Sequence, residues 1–208
     1  MKRITIQVGS YEVNCSLLCE GGDAWIVDPG AEGERIVRTL RAAALSPKAI
    51  LLTHAHFDHI GAIPFLQREY PDLPVALHAN DVPMLGHPFN ANPPDYPQTG
   101  VPRNIVAIDP SAPAERSPLP PGVSAIETPG HTPGGLCYYI ESLGTVLTGD
   151  TLFAGSAGRT DFPGGSMTQL MRSLAMLCEL PGATVAVPGH GPETTIAAEK
   201  ADNPYLAT

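Results

Sequence analysis

The chain has 208 residues, 43% hydrophobic and 16% charged, with 12 basic against 21 acidic side chains for a net charge of −9. That length fits one domain with a substantial core. The acidic balance argues against a nucleic-acid backbone or an anionic membrane as partner, since both select basic patches. It leaves room for a small anionic substrate held by one or two local cations.

The opening MKRITIQVGSYEV has two basic residues but neither a long apolar stretch nor a cleavage site. No apolar run approaches the roughly 20 residues of a membrane span, so a cytoplasmic protein is expected. Strands are expected at 3–8, 13–19 and 24–27, with Gly21, Gly22 and Asp23 as a hairpin turn. After Asp28, the residues Ile36, Val37, Leu40, Ala43 and Ala44 recur at helical spacing. A short buried strand at 49–52 leads into THAHFDH (53–59), and a helix runs from Gly61 to about Tyr70 with Pro64 in its first turns. A strand at 73–78 follows.

Residues 83–121 carry 11 of the 23 prolines and read as an irregular loop, of a length that usually covers a site or moves. Strands return at 124–128, 136–140 and 145–148. Ser166 and Gln169 form a capping-box pattern ahead of a helix with the apolar stripe Met167, Leu170, Met171, Leu174 and Leu177, stopped by Pro181-Gly182. A last strand at 183–187 and a closing helix at 194–201 complete a single domain whose sheets are flanked by helices. Cys15, Cys19, Cys137 and Cys178 are expected as free thiols, since the chain is neither small nor visibly secreted.

Five of the seven histidines lie in tight turns at the ends of apolar strands. In THAHFDH, residues two apart point the same way, so His54, His56 and Asp58 converge while His59 points elsewhere, which suits two neighbouring ions better than one. ETPGHTPGG delivers His131, TVLTGDTLF Asp150, VAVPGHGP His190 and AWIVDPG Asp28. Seven groups, His54, His56, Asp58, His59, His131, Asp150 and His190, exceed what one tetrahedral ion takes. Two divalent ions sharing a bridging carboxylate and a bridging hydroxide account for all seven, and nitrogen and oxygen donors suit zinc, iron or manganese. His78 and His87 read as a packed or hydrogen-bonded and a solvent-facing histidine; Cys178 continues the stripe of the Met167 helix and reads as core, and Cys137 carries no assigned chemistry.

THAHFDH, GHTPG, GD and PGHGP, in this order and spacing, resemble the metallo-β-lactamase superfamily. GDTLFAGSAGRTDFPGG and PGHGPETTIAAEKADNP are similar to the single-domain bacterial glyoxalase II-like (hydroxyacylglutathione hydrolase-like) enzymes. The resemblance covers nearly the whole chain and implies a four-layer αββα sandwich of α/β class. It implies that His54, His56 and His131 hold one ion, that Asp58, His59 and His190 hold a second, and that Asp150 bridges them, with zinc as the expected metal. Asp28 then takes a hydrogen-bonding role beside the ligands.

For the chemistry, two ions roughly 3.5–4 Å apart lower the pKa of a bridging water and polarise a carbonyl, and the hydroxide attacks. A thiolate leaves as an anion, so a hydroxyacyl thioester such as S-D-lactoylglutathione needs no strong acid, and Asp58 is the one candidate side chain for proton transfer. Arg159, matching a basic residue that binds glutathione in glyoxalase II proteins, is the candidate substrate-binding residue, with an ion pair to Asp161 as its bland role. Larger glyoxalase II enzymes add C-terminal helices that contact glutathione; here the 83–121 loop supplies such contacts or the substrate is another thioester. The rival reading is a persulfide dioxygenase, which resembles this chain in GRTDF and holds a single iron on residues matching His54, His131 and Asp150. A β-lactamase and a non-catalytic metal-binding scaffold rank lower, and the oligomeric state is open.

Overall fold

A computed structural model describes residues 1–110 and 118–206. The first half lays down a six-stranded sheet in simple sequence order: β1 (Lys2–Val8), β2 (Val13–Glu20), β3 (Asp23–Val27), β4 (Ser46–Leu51), β5 (Val75–His78) and β6 (Ile105–Ile108). Between these strands run α1 (Gly33–Ala42), α2 (Phe57–Ile60) and α3 (Ile63–Glu69). The second half builds a five-stranded sheet from β7 (Val123–Glu127), β8 (Leu136–Ile140), β9 (Thr145–Gly149), β12 (Val185–Pro188) and β13 (Thr194–Thr195), in the order β13-β12-β9-β8-β7. A small hairpin of β10 (Leu152–Phe153) and β11 (Ser156–Ala157) precedes α4 (Met167–Leu177), and α5 (Ile196–Asp202) closes the chain.

Strand parity divides the apolar residues into three layers. Alternate residues of a strand face opposite sides of its sheet. On β2–β5, Cys15, Leu17, Ala24, Ile26, Ile50, Val75 and Leu77 face outward against Ile36, Val37 and Leu40 of α1 and Ile63 and Leu66 of α3. Their neighbours Leu18, Val27, Leu51 and Ala76 face inward and meet Leu136, Tyr138, Ile140, Leu147 and Val187 of the second sheet. The outer face of that second sheet carries Cys137, Val146 and Ala186 against Leu170, Leu174 and Leu177 of α4 and Ile196 of α5. Helix, sheet, sheet, helix is the sandwich the sequence implies. Each fully buried Leu, Ile or Val in these layers contributes about 1.5–3 kcal/mol relative to exposure.

Gly21 and Gly22 form the two-residue turn between β2 and β3, with φ of 59° and 93° and Glu20 paired to Asp23, so Asp23 opens the strand. Four expectations need correction. The helix after Asp28 ends at Ala42, leaving Ala43 and Ala44 exposed in a turn where Ala44 takes φ 52° and Leu45 donates back to the Leu40 carbonyl. The 83–121 segment is not wholly irregular: β6 lies in it, parallel to β5 with Ile105 opposite Val75, and residues 79–84 form a 3-10 turn ahead of it. Flanking Pro102 and Pro110 disguise this edge strand; residues 111–117 lie outside those described.

The third correction concerns α4. Met167 and Met171 are exposed, and the buried face runs Leu170, Ser173, Leu174, Leu177. Ser173 faces inward because its hydroxyl donates to the Pro129 carbonyl at 2.7 Å. The Ser166 hydroxyl does cap the helix, accepting from the Gln169 amide. The fourth is that α4 ends at Leu177 rather than at Pro181-Gly182, and Cys178, its capping residue, is only partly buried. His87 is exposed as expected, and His78 accepts from the Asn80 amide.

All four cysteines are free. Burial pushes the Cys137 thiol up to about 12 and that of Cys15 higher still. Among the described residues no helix is long and apolar enough to cross a membrane.

Two outcomes test this packing. Leu174→Ala, which empties a fully buried site, should cost about 2–5 kcal/mol in urea unfolding, and Met171→Ala should stay within about 0.5 kcal/mol. A thiol reagent should modify Cys178 promptly in the native protein and all four cysteines only after denaturation, because the thiolate is the reacting form and Cys15, Cys19 and Cys137 are buried.

Candidate metal centre

The groups singled out in the sequence meet at one edge of the sandwich, beyond the carboxyl ends of parallel strand pairs. β3 and β4 run parallel and end in Asp28 and His54; β9 and β12 run parallel and lead to Asp150 and His190. His131 comes from the turn between β7 and β8. His56 precedes α2, which carries Asp58 and His59. Because Asp58 lies in a helical turn and not in an extended segment, it turns to His190 instead of converging with His54 and His56. His59, expected to point elsewhere, packs 4.1 Å from the His54 ring. The two sheets are stitched together at this edge by Leu136, whose amide donates to the Thr53 carbonyl at 2.8 Å, and by Tyr138, whose hydroxyl donates to the Leu52 carbonyl at 2.6 Å.

Three sets of donor atoms lie close enough to share a cation: His54, His56 and His131; Asp58, His59 and His190; and, between them, His54, His59 and Asp150. In the first set His56 Nδ1 lies 2.9 Å from His131 Nε2. In the second, His59 Nε2 lies 3.3 Å from His190 Nε2, which is 3.3 Å from Asp58 Oδ2. Asp150 faces both. Its Oδ2 is 3.6 Å from His131 Nε2, and its Oδ1 is 3.4 Å from His59 Nε2 and 3.6 Å from His190 Nε2. That is the placement a bridging carboxylate requires.

The outer nitrogens of three imidazoles are hydrogen-bonded, which assigns the tautomers of His54, His131 and His190, and that of a fourth, His59, faces a carboxylate. His54 Nδ1 faces the Thr53 hydroxyl at 3.0 Å, and that hydroxyl donates to Asp28. His59 Nδ1 is 3.0 Å from Asp28 Oδ2. His131 Nδ1 donates to the Arg159 carbonyl at 2.7 Å and His190 Nδ1 to the Tyr11 carbonyl at 2.8 Å. A neutral ring that donates outward presents a bare lone pair inward. Such a lone pair on His131 Nε2 faces His56 Nδ1 at 2.9 Å, and the buried acceptors gathered here call for positive charge among them. His54 Nε2 and Asp150 Oδ1 are buried without a hydrogen-bond partner. The donor set therefore fits a pair of divalent cations.

Electrostatics point the same way. Burial, reinforced by the neighbouring imidazoles, takes His54 well below the ordinary histidine range and His56 to about 3. Burial also disfavours a charged His59, yet Asp28 and Asp150 outweigh it and carry His59 well above that range. Asp58 is raised by burial but held down by His190 and His59, and the net direction is below the usual carboxylate range. Asp150 moves the same way under His59, His131 and His190. A field that draws a proton onto a fully buried imidazole draws a divalent cation for the same reason.

Asp28 does what the sequence suggests and more. Besides His59 it accepts from the Thr53 amide at 2.8 Å and the Thr53 hydroxyl at 2.6 Å, so one carboxylate orients members of both main sets. It takes φ 50°, in the left-handed region that aspartate tolerates better than most residues. Gly189 is required by crowding: a Cβ there would lie 2.7 Å from His59 Cε1 and would also collide with Asp150.

Arg159 meets the centre through its backbone carbonyl, not its side chain. The exposed guanidinium forms a bidentate pair with Asp161, both bonds at 2.7 Å, and sits 4.0 Å over the Phe162 ring. Phe162 in turn packs edgewise on His56 and on Phe89. On the opposite flank Tyr11, Phe57 and Tyr96 cluster with centroids 5.3–5.7 Å apart, next to His190 through Tyr11. Sequence reasoning singled out none of Thr53, Tyr11 and Phe162; only Thr53, at the head of THAHFDH, had a motif position that could have marked it.

A model of the metallo-beta-lactamase superfamily matches residues 8–190. The chain is 36% identical to "Probable metallo-hydrolase YqgX" of Bacillus subtilis over 99% of its own length and 98% of that protein. It is 34% identical to "Hydroxyacylglutathione hydrolase GloC" of Haemophilus influenzae over 97% and 96%. Among solved structures it resembles TTHA1623 in a di-iron-bound form (36% identity, 98% and 100% covered, TM-score 0.87) and the BLEG-1 B3 metallo-beta-lactamase (33%, 100% and 100%, 0.87). With its five motif segments gathered at one sheet edge, this chain belongs to the metallo-β-lactamase superfamily.

Proposed function

We propose that the protein is a metal-dependent hydrolase of a hydroxyacyl thioester such as S-D-lactoylglutathione. The observation that carries the reading is the facing of two three-residue donor sets with Asp150 between them, at a sheet edge bordered by Arg159 and Phe162. His54, His56 and His131 would hold one divalent ion and Asp58, His59 and His190 the other. The donors suit zinc, with iron and manganese as alternatives. When bound, two such ions supply an activated water at neutral pH and polarise the scissile carbonyl.

The side chains supply orientation and proton handling. Thr53 and the Arg159 and Tyr11 carbonyls orient His54, His131 and His190 with their Nε2 atoms turned inward, and Asp28 faces His59. Asp58, kept ionised by His190 and His59, suits ligation or acceptance of a proton from the attacking water. It does not suit donation to a leaving group, and a thiolate needs none. An amide nitrogen would, which is why the thioester is favoured over the β-lactam. The Arg159 guanidinium is placed to receive an anionic thiol moiety, competing with Asp161 for it.

The purified protein should contain about two metal ions per chain and hydrolyse S-D-lactoylglutathione, with activity lost to a chelator and restored by metal. About one iron per chain, with oxygen uptake on glutathione persulfide, would replace the hydrolase by the dioxygenase; turnover of nitrocefin but no thioester would replace the substrate class. Arg159→Ala should raise KM for the glutathione thioester about tenfold, the loss of one charge-assisted contact, with kcat within about threefold. An unchanged KM in steady-state assays would remove Arg159 from substrate binding.

A further inference from the structure

Asp81 lies outside every motif used above. It follows β5 in the 3-10 turn at Ala79–Met84, is 1% exposed and accepts three hydrogen bonds. Its Oδ2 accepts from the Ala55 amide at 3.1 Å and the Thr132 hydroxyl at 2.8 Å, and its Oδ1 from the Gly134 amide at 2.6 Å. Ala55 is the residue between His54 and His56, and Thr132 follows His131. One carboxylate thus ties together the two chain segments that carry all three members of the first donor set. Asn90 completes the hold: its side-chain amide donates to the Ala55 carbonyl at 2.7 Å, so both peptide groups between His54 and His56 are gripped by side chains. Gly134 permits the approach, because a Cβ there would lie 2.7 Å from Asp81 Oδ1. None of these bonds touches Asp58, His59 or His190; His59 lies against Asp28 and His190 is held by the Tyr11 carbonyl.

We propose that Asp81 is a positioning residue for the His54, His56 and His131 set, acting on one of the two metal positions and not the other. The start of the proline-rich segment is then part of the metal centre's frame, bolted to it by Asp81 and Asn90. An amide in place of the carboxylate cannot reproduce this: whichever way it is turned, its NH2 faces a donor that the carboxylate oxygen had accepted from. Outer contacts of this kind commonly set metal affinity over a 10–100-fold range.

The role rests on the metal reading, and one titration separates the two. The metal-free full chain is titrated with Co2+, followed by visible absorption and by competition with a chromophoric chelator. Wild type should show two binding steps, one of which His131→Ala abolishes. Asp81→Asn should weaken that same step about 10- to 100-fold, leave the other within about threefold, and keep the thermal midpoint of the metal-free protein within a few degrees. Excess metal should restore kcat. Both steps moving together, or neither moving, would overturn the proposal; a wild type that takes up no Co2+ would overturn the metal reading beneath it. If Asp81→Asn does not fold, Thr132→Val decides, since it removes one donor to Asp81 at nearly constant volume. It should weaken the same step about 3- to 10-fold, and an unaltered step overturns the proposal.

Discussion

Much of this protein's architecture answers one electrostatic constraint. Asp28, Asp58 and Asp150, all largely buried, converge among five imidazoles; three of those rings have their outer nitrogens bonded to Thr53, Arg159 and Tyr11, and that of His59 faces Asp28. Carboxylates removed from water need balancing charge, and so do ring nitrogens brought to 2.9 and 3.3 Å of one another. Protons on histidine meet that need in part, as the raised His59 shows. Divalent cations meet it in full and convert a costly cluster into a reactive one.

The fold makes the cluster affordable by keeping it rigid. Strand parity separates an inter-sheet core from two outer cores, so both sheets are anchored on both faces. Their parallel strand pairs end at a common edge, and the Leu136 and Tyr138 bonds fasten one sheet to the other there. Ligands from opposite halves of the chain can then approach within hydrogen-bond distance without help from long, mobile side chains. The aromatic groups around Phe162 and Tyr11 border the two donor sets, Phe162 against His56 and Tyr11 against His190.

The sequence was legible where the determining interactions are local. The period of an extended segment placed His54 and His56 together but misplaced Asp58, which the helical turn of α2 carries to His59 and His190, and glycine corners after apolar strands marked His131, Asp150 and His190. Most strands could be read from the same alternation. What escaped was set by distant partners. Met167 and Met171 matched a helical stripe, but the Ser173 bond to Pro129 turns that face outward. β6 was hidden between prolines, because an edge strand keeps few ladder bonds and little alternation. Asp81, Asn90 and the Tyr11 carbonyl serve the centre across 35 residues or more in several cases, and a backbone carbonyl carries no residue signature at all.

The most direct test of the central claim is anomalous diffraction from crystals of metal-loaded protein, recorded at the absorption edge of the loaded ion. Two peaks are predicted, one enclosed by His54, His56 and His131 and the other by Asp58, His59 and His190, with Asp150 reaching both. A single peak at full loading, or peaks away from these side chains, would contradict it.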